Sequence, residues 1–463
     1  MCGFSIISSE YPQVLFKILH RGLPDQNKVI PFQNKLLYHT RLPIQTLPGD
    51  EWGQPIEIQP GKFLLYNGEL FQYPGMDHNY ENDVDYLIRF FSKFDTFSKI
   101  ISPEAQEKIN TWDGFWSIAL VSKEGIIAFT DPLGKKQLYY DQDFDISSEV
   151  KTLAAKKNPP EIDQKTISSI LKFGYNIDDR TCFSRIRRII PNCIYFFDTI
   201  SKIVSRYDNY FSWKETPTEK ECSVKELLYQ SVLDRLVSKT YPIGVLLSGG
   251  LDSTIITSIL VDLEIRNIQY YSIENGEKEY VDVVKKHFGI DVKYLEYPKE
   301  IFSNGLEEVL YYNDSPIDMG SLFLQHSIMS VIPEKIVLTG DGSDELFGGY
   351  RRIEEYDSQK SDVFDELPYY HLPRLDRASM RYTIELRSPF LSHSLVRKAL
   401  NSIEFPDRKN KAILKTLFKD QIPPEILERS KKPLKNKNIV EDPLKERKNL
   451  CFRFESMVKK YYA

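Results

Sequence analysis

The stretch GVLLSGGLDSTIITSIL, Gly244–Leu260, decides how the second half of the chain is read. A short apolar run ends at Leu247, a helical pattern begins near Ser253, and Ser248-Gly249-Gly250-Leu251-Asp252 lies between them. Short apolar runs bounded by glycine read as buried strands. Two glycines permit a tight turn and a close backbone approach, and Ser253 stands where it could cap the helix. The start of a helix carries unpaired N–H groups and the positive end of its dipole, which suits phosphate or pyrophosphate. No lysine follows the glycines and there is no GxGxxG, so neither common nucleotide fingerprint applies. Asp252 sharpens the reading, because a carboxylate beside phosphates repels them unless a divalent cation lies between.

Working outward, KIVLTGDGSDELFGGY (Lys335–Tyr350) offers a second predicted strand running into Gly340, Asp341, Gly342, Asp344 and Glu345. Singly, such a loop is an acidic solvated turn. Two Gly/Asp loops at the carboxyl ends of parallel strands instead share the crevice where open α/β sheets bind ligands. Asp252 and Asp344 could therefore hold one Mg²⁺ between them, beside a loop suited to phosphate or pyrophosphate. Around these loops helix and strand alternate: VKELLYQSVLDRLVSK, YPIGVLL, IQYYSI, YVDVVKKHF, VKYLEY. That alternation predicts a parallel sheet with helices on both faces. From about Tyr350 the chain reads as mainly helical.

The first 200 or so residues read differently. KLLYHTRL, KFLLYNGELF, GFWSIALVS, GIIAFTD, QLYYD and CIYFFD are close-spaced strands, with a helix near Val84–Lys93. Many strands and few helices predict stacked antiparallel sheets flanked by helices. The polar stretch around Ser205–Ser223 is the connector, giving domains over 1–205 and 223–463 with a linker over 206–222.

Composition sets the outer bounds. A chain of 463 residues is too long for one ordinary core, and 41% hydrophobic with 27% charged residues is ordinary for globular proteins. A net charge of −5 argues against a nucleic-acid footprint. No run approaches the ~18 apolar residues of a membrane span. Five scattered cysteines without a CxxC pair argue against disulfides or zinc, and the chain reads as cytoplasmic. One cysteine stands apart. Cys2, in MCGF, is either a small hydrophobe at a terminus or the nucleophile of an enzyme that uses its own N-terminus.

Taken in order, these motifs resemble the glutamine-hydrolysing asparagine synthetase family. SGGLDS and GDGSDELFGGY resemble its synthetase domain. MCGF, HRGLPD, YHTRLPI, LLYNGELF, ENDVDYLI and DPLGKKQLYY resemble its glutaminase domain, and ELRSPFL and RSKKPL its helical C-terminal part. The resemblance spans about residues 1–435. It implies an α+β N-terminal-nucleophile (αββα) glutaminase domain followed by an α/β parallel-sheet ATP-pyrophosphatase domain. It also implies ATP and Mg²⁺ as cofactors, glutamine and a carboxylate (aspartate first) as partners, and compatibility with a homodimer.

The same resemblance distributes the roles. Cys2 is the nucleophile, and its α-amine, freed by loss of Met1, is the base. Gly3 leaves room for substrate. Asn67 and the Gly68 N–H stabilise the oxyanion, Arg41 grips the glutamine carboxylate, and Glu69 and Asp83 receive its nitrogen groups. Ser248, Gly249, Gly250, Asp252 and Ser253 face pyrophosphate and Mg²⁺, with Asp344 as the second metal carboxylate, and Leu246, Ile273 and Gly340 join the nucleotide site. Lys431, with Lys432 as rival, stabilises negative charge during activation or amide formation, and Asp341 positions the acceptor or ammonia. Four positions depart from the family pattern: inserted Leu23, Thr130 for arginine, Asp341 for glutamate and Ser392 for aspartate. They leave another carboxylate acceptor open as an alternative, and a silent nucleotide-binding scaffold as a remote one.

Overall fold

The computed structural model describes residues 2–47, 49–76, 79–273, 277–296, 305–317, 319–349, 366–429 and 443–462. The first half builds β1 (Cys2–Ser8), β2 (Asn27–Phe32), β3 (Lys35–Arg41), β4 (Ile56–Gln59), β5 (Lys62–Gln72) and β6 (Asp113–Ser122). It continues with β7 (Gly125–Thr130), β8 (Tyr139–Asp141), β9 (Ile146–Ser147), β10 (Ile186–Arg188), β11 (Cys193–Asp198) and β12 (Ile203–Asp208). They form two six-stranded antiparallel sheets, ordered β10-β8-β9-β1-β3-β2 and β12-β11-β7-β6-β5-β4.

Side chains alternate across a strand, so each strand serves two layers. Phe63 and Leu65 of β5 meet Phe4, Ile6 and Leu37 in the space between the sheets. Leu64 and Tyr66 point the other way, onto Leu87, Phe90 and Phe91 of the helix Asp83–Phe91. The far side of the first sheet, through Ile7, Tyr38 and Tyr139, is covered by Leu15, Ile18 and Ile170. Phe454, Met457 and Val458 of the helix Pro443–Tyr461 join that layer from the far end of the chain. The result is four layers, helix on sheet on sheet on helix.

The second half holds β13 (Ile243–Leu246), β14 (Ile268–Ile273), β15 (Val292–Leu295), β16 (Ile336–Leu338) and β17 (Glu385–Arg387). All are parallel, in the order β15-β14-β13-β16-β17. The order reverses between β13 and β16, and the two Gly/Asp loops leave from those strands. Val245, Leu247, Ile255, Ile259 and Val337 form its core, and Leu42, Ile44, Phe71, Phe115 and Leu133 of the first half belong to the same cluster. Apolar burial therefore joins the two halves directly.

Two sequence expectations change. The helix predicted over VKELLYQSVLDRLVSK stops at Asp234. Arg387 takes over the next carbonyls, donating from Nη1 to those of Arg235 and Val237 at 2.7 Å each. The connecting segment carries structure of its own: β12 runs to Asp208, Tyr210 and Phe211 are buried, and a capping box of Thr216 and Glu219 starts the helix Pro217–Glu221. The edge strand β17 was not anticipated. Among the described residues no helix is long and apolar enough to cross a membrane.

Candidate active sites

Cys2 opens β1 opposite Arg41 of β3, and both are buried. Asn67 reaches it from the other sheet: its Oδ1 accepts from the Cys2 nitrogen at 3.1 Å, while its Nδ2 donates to Ser117 Oγ at 3.4 Å. Gly68 follows on β5, facing Trp116 across the ladder. The Arg41 guanidinium pairs with Asp50 at 2.7 Å and also donates to Thr46. Its charge is thus already shared within the chain.

Glu69, two residues after Asn67 on β5, has Asp83 in its electrostatic field. Gln45 donates to Glu69 at 2.6 Å, and Asp83 accepts from Tyr66 Oη at 2.8 Å and the Leu70 N–H at 3.1 Å. Burial pushes the Asp83 carboxyl up to about 6 despite those two donors. Glu69 is held well above the usual carboxylate range by burial and then by the neighbouring charges of Glu385 and Asp83. Glu385 belongs to β17, so the second half places a carboxylate, ion-paired to Arg387 at 2.5 Å, against this centre.

Gly3 has a different purpose from the one read in the sequence. A methyl there would lie 2.7 Å from Arg21 Cδ, so the missing side chain makes room for Arg21 rather than for substrate. Arg21 Nε in turn donates to the Cys2 carbonyl at 3.1 Å. Arg21 was not singled out in the sequence, although it lies within HRGLPD.

The nucleotide loop takes the conformation its composition calls for. Gly249 sits at φ +65°, and a side chain there would also meet Tyr280 and Val281. Gly250 is the N-cap of the helix Leu251–Asp262 and no side chain caps it, leaving first-turn N–H groups for a ligand. Ser253 is therefore not the cap. Its hydroxyl turns back to the Gly250 carbonyl at 3.2 Å and pairs with Ser248 Oγ at 3.1 Å, bracing the turn. Leu246 and Ile273 end neighbouring strands β13 and β14, half-buried.

Asp252 and Asp344 do converge, and on a cation. Lys411 Nζ lies 2.6 Å from both Asp252 oxygens and 2.6 Å from Asp344 Oδ1. Ser343 Oγ donates to Asp252 at 2.7 Å, and Gly340 abuts Asp252. Burial alone would lower the Lys411 ammonium, but the two carboxylates reverse this and hold it above its ordinary value. Lys411 was missed because it reads as one lysine in a basic run. Its backbone is the telling feature: Lys411 and Asn410 both have positive φ, +58° and +52°, uncommon for residues other than glycine. Among the described residues no group of three or more His, Cys, Asp or Glu side chains is gathered for a metal. Two facing carboxylates that already neutralise a cation nevertheless suit a hard divalent ion shared with phosphate oxygens.

Asp341 follows β16, its carboxyl raised by burial, with Glu345, Arg374 and His371 in its field. Lys431 and Lys432 lie outside the described residues.

Comparison with known proteins accounts for both halves. The glutamine amidotransferase domain matches residues 1–208, and the asparagine synthase domain matches 223–368 and 358–450. The chain belongs to the glutamine-hydrolysing asparagine synthetase family. Asparagine synthetase 1 of Bacillus subtilis (strain 168) is 25% identical over 409 residues, covering 80% of this chain, which spans 61% of that protein's length. Asparagine synthetase B of Escherichia coli (strain K12) is 25% identical over 457 residues, covering 89% of this chain and 76% of that one. Amidase chyE of Penicillium rubens is 24% identical over 414 residues, covering 77% and 57%.

Three departures from the family pattern have local structural explanations. Leu23 bonds the Arg41 carbonyl through its N–H at 2.9 Å and packs on the core shared by the two halves. Thr130 is buried, and its Oγ1 donates to the Asp131 carbonyl at 3.3 Å. Ser392 caps the helix His393–Asn401, a task serine and aspartate perform about equally, so this change carries no information about the acceptor.

Proposed function

We propose that the chain is a glutamine-dependent, ATP-consuming amide synthetase, with L-aspartate as the first acceptor to test. Cys2 Sγ attacks the glutamine side-chain carbonyl, its proton passing to the α-amine left by removal of Met1. Breaking the C–N bond releases ammonia, and water resolves the thioester to glutamate. Asn67 and the Gly68 N–H face the oxyanion, Arg41 the glutamine carboxylate, and Glu69 and Asp83 its nitrogen groups. An N-terminal-nucleophile assignment for the four-layer half follows from the same reading.

In the second half the acceptor carboxylate attacks the α-phosphorus of ATP and pyrophosphate leaves. Ammonia then displaces AMP from the acyl carbon. Ser248, Gly249, Gly250 and Ser253 cradle the pyrophosphate, Leu246 and Ile273 border the adenine, and Asp341 and Lys431 serve the acceptor step. Asp252 and Asp344 would hold Mg²⁺, which when bound neutralises the departing pyrophosphate. The observation that carries the reading is the convergence of Asp252 and Asp344 at the point where the strand order reverses.

The deciding experiment supplies ATP, Mg²⁺, glutamine and single carboxylates, and follows pyrophosphate and AMP. L-Aspartate is expected to release both along with glutamate; release with no carboxylate at all would defeat the proposal. A second acceptor reading, a natural-product or glycan carboxylate, is favoured by the amidase relative and by Asp341, and a response to such a compound but not to aspartate would select it.

The pH dependence follows from Asp83. Folding favours its neutral carboxyl, so this group's contribution to stability is full below its ordinary 3.8 and is lost as pH rises through about 6. Binding runs the other way, because only the ionised carboxylate attracts the glutamine ammonium group. KM for glutamine is expected to rise by up to about tenfold per pH unit below 6, and Asp83→Asn to flatten that rise. A KM that stays constant from pH 7 to 5 in the parent protein would exclude this role.

A further inference from the structure

Arg21 joins the two halves at the nucleophile itself. Its Nη1 donates to Glu149 Oε1 at 2.8 Å and to Asp376 Oδ2 at 2.9 Å, and its Nη2 to Asp376 Oδ1 at 3.2 Å. That is a two-pronged grip on a carboxylate from the helix Leu372–Met380 of the second half. Arg21 is 1% exposed and Asp376 5%. Lys136 adds a third contact, reaching Asp376 Oδ1 at 2.5 Å. Burial would raise the Asp376 carboxyl, but Arg21 and Lys136 outweigh it and hold it ionised far below the usual range. The remaining prong, Nε, is the one that donates to the Cys2 carbonyl.

A guanidinium fixed on three sides has one geometry left for its Nε–H. The Cys2 carbonyl accepts from it, and the Cys2 nitrogen donates to Asn67, so the residue is pinned on both sides of its Cα. Gly3 completes the arrangement by letting the Arg21 stem cross β1. A buried ion cluster that served only to join the halves would have no need to end on the nucleophile's carbonyl or to require glycine beside it.

We infer that Asp376 of the synthetase half is a positioning residue for glutamine hydrolysis, acting through Arg21 to orient Cys2. The glutaminase centre is therefore finished by a side chain from the other half, and hydrolysis at full rate requires the docked pair. This rests on Cys2 being the nucleophile, as proposed above.

The test uses the full chain and two variants, Arg21→Lys and Asp376→Asn. Arg21→Lys keeps a cation among the carboxylates but removes the fork and its Nε–H. Asp376→Asn keeps volume but loosens the grip. Misplacing a reacting group by about 1 Å costs up to about 100-fold, so kcat for glutamine hydrolysis is expected to fall about 10- to 100-fold in each. KM for glutamine should stay within about twofold, and pyrophosphate release driven by ammonium chloride should be unchanged. Gly3→Ala, which displaces the Arg21 stem, should reproduce the same split. If Arg21→Lys or a folded Asp376→Asn hydrolyses glutamine at the parental kcat, or if ammonia-driven release falls in parallel with hydrolysis, the inference is overturned. Should Asp376→Asn fail to fold, Arg21→Lys and Gly3→Ala decide alone. Cys2-independent hydrolysis in the parent chain would instead overturn the underlying reading.

Discussion

Cys2→Ala is expected to abolish glutamine-driven synthesis while ammonia-driven synthesis continues. The substitution removes only Sγ. The Asn67 contact is made to the main-chain nitrogen and the Arg21 contact to the carbonyl, and neither involves the side chain. Glutamine recognition by Arg41, Glu69 and Asp83 should likewise survive. What is lost is the covalent step, and removing a nucleophile that acts with its own base costs at least about three orders of magnitude in kcat. Free ammonia supplied above pH 8 bypasses the first centre. Glutamate release and pyrophosphate release, measured on the same samples, should therefore part company. Persisting glutamate release from the variant would exclude Cys2 as the nucleophile.

The second large effect is expected at Asp252. Replacing it with alanine removes both carboxylate oxygens that face Lys411 and the acceptor of the Ser343 hydroxyl. If this carboxylate carries the cation shared with pyrophosphate, acceptor-dependent pyrophosphate release should fall by about 10² to 10³, the scale seen when one electrostatic contact to a transition state is lost. Glutamine hydrolysis should be spared, because Asp252 touches none of the groups around Cys2. Asp252→Asn keeps the shape and removes the charge, which separates electrostatics from packing. Parental pyrophosphate release in both variants would remove Asp252 from the nucleotide site.

Much of this was legible in the sequence, for a physical reason. The strands over 62–72 and 113–122 are buried on both faces, so they stand out as long apolar runs. The Gly/Asp loops are legible because a tight turn and an anion site both require particular residues at fixed local spacing. What the sequence hid is long-range. Lys411 meets Asp252 across 159 positions, and Arg21 meets Asp376 across 355, with no periodicity linking either pair. The strand β17 was hidden by its own composition: Glu385 and Arg387 look like surface residues, and their mutual ion pair, with the Arg235 and Val237 carbonyls that Arg387 also holds, lets both be fully buried. Gly3 was assigned to substrate because its neighbour in space, Arg21, could not be seen.

The helix Pro443–Tyr461 gives the molecule a biosynthetic problem. Its Phe454, Met457 and Val458 belong to the same apolar cluster as Leu15, Ile18 and Tyr139, the helix packs on the helices Gln164–Phe173 and Leu306–Asn313, and Arg447 donates to the Leu171 and Lys172 carbonyls. A ribosome adding roughly 5–20 residues per second needs on the order of ten seconds or more to pass from the end of the first domain to this helix. During that interval the part of the first domain that this helix packs on waits for its partner, with Leu310 and Ile317 of the second half reaching the same cluster earlier, so this layer is completed in two instalments.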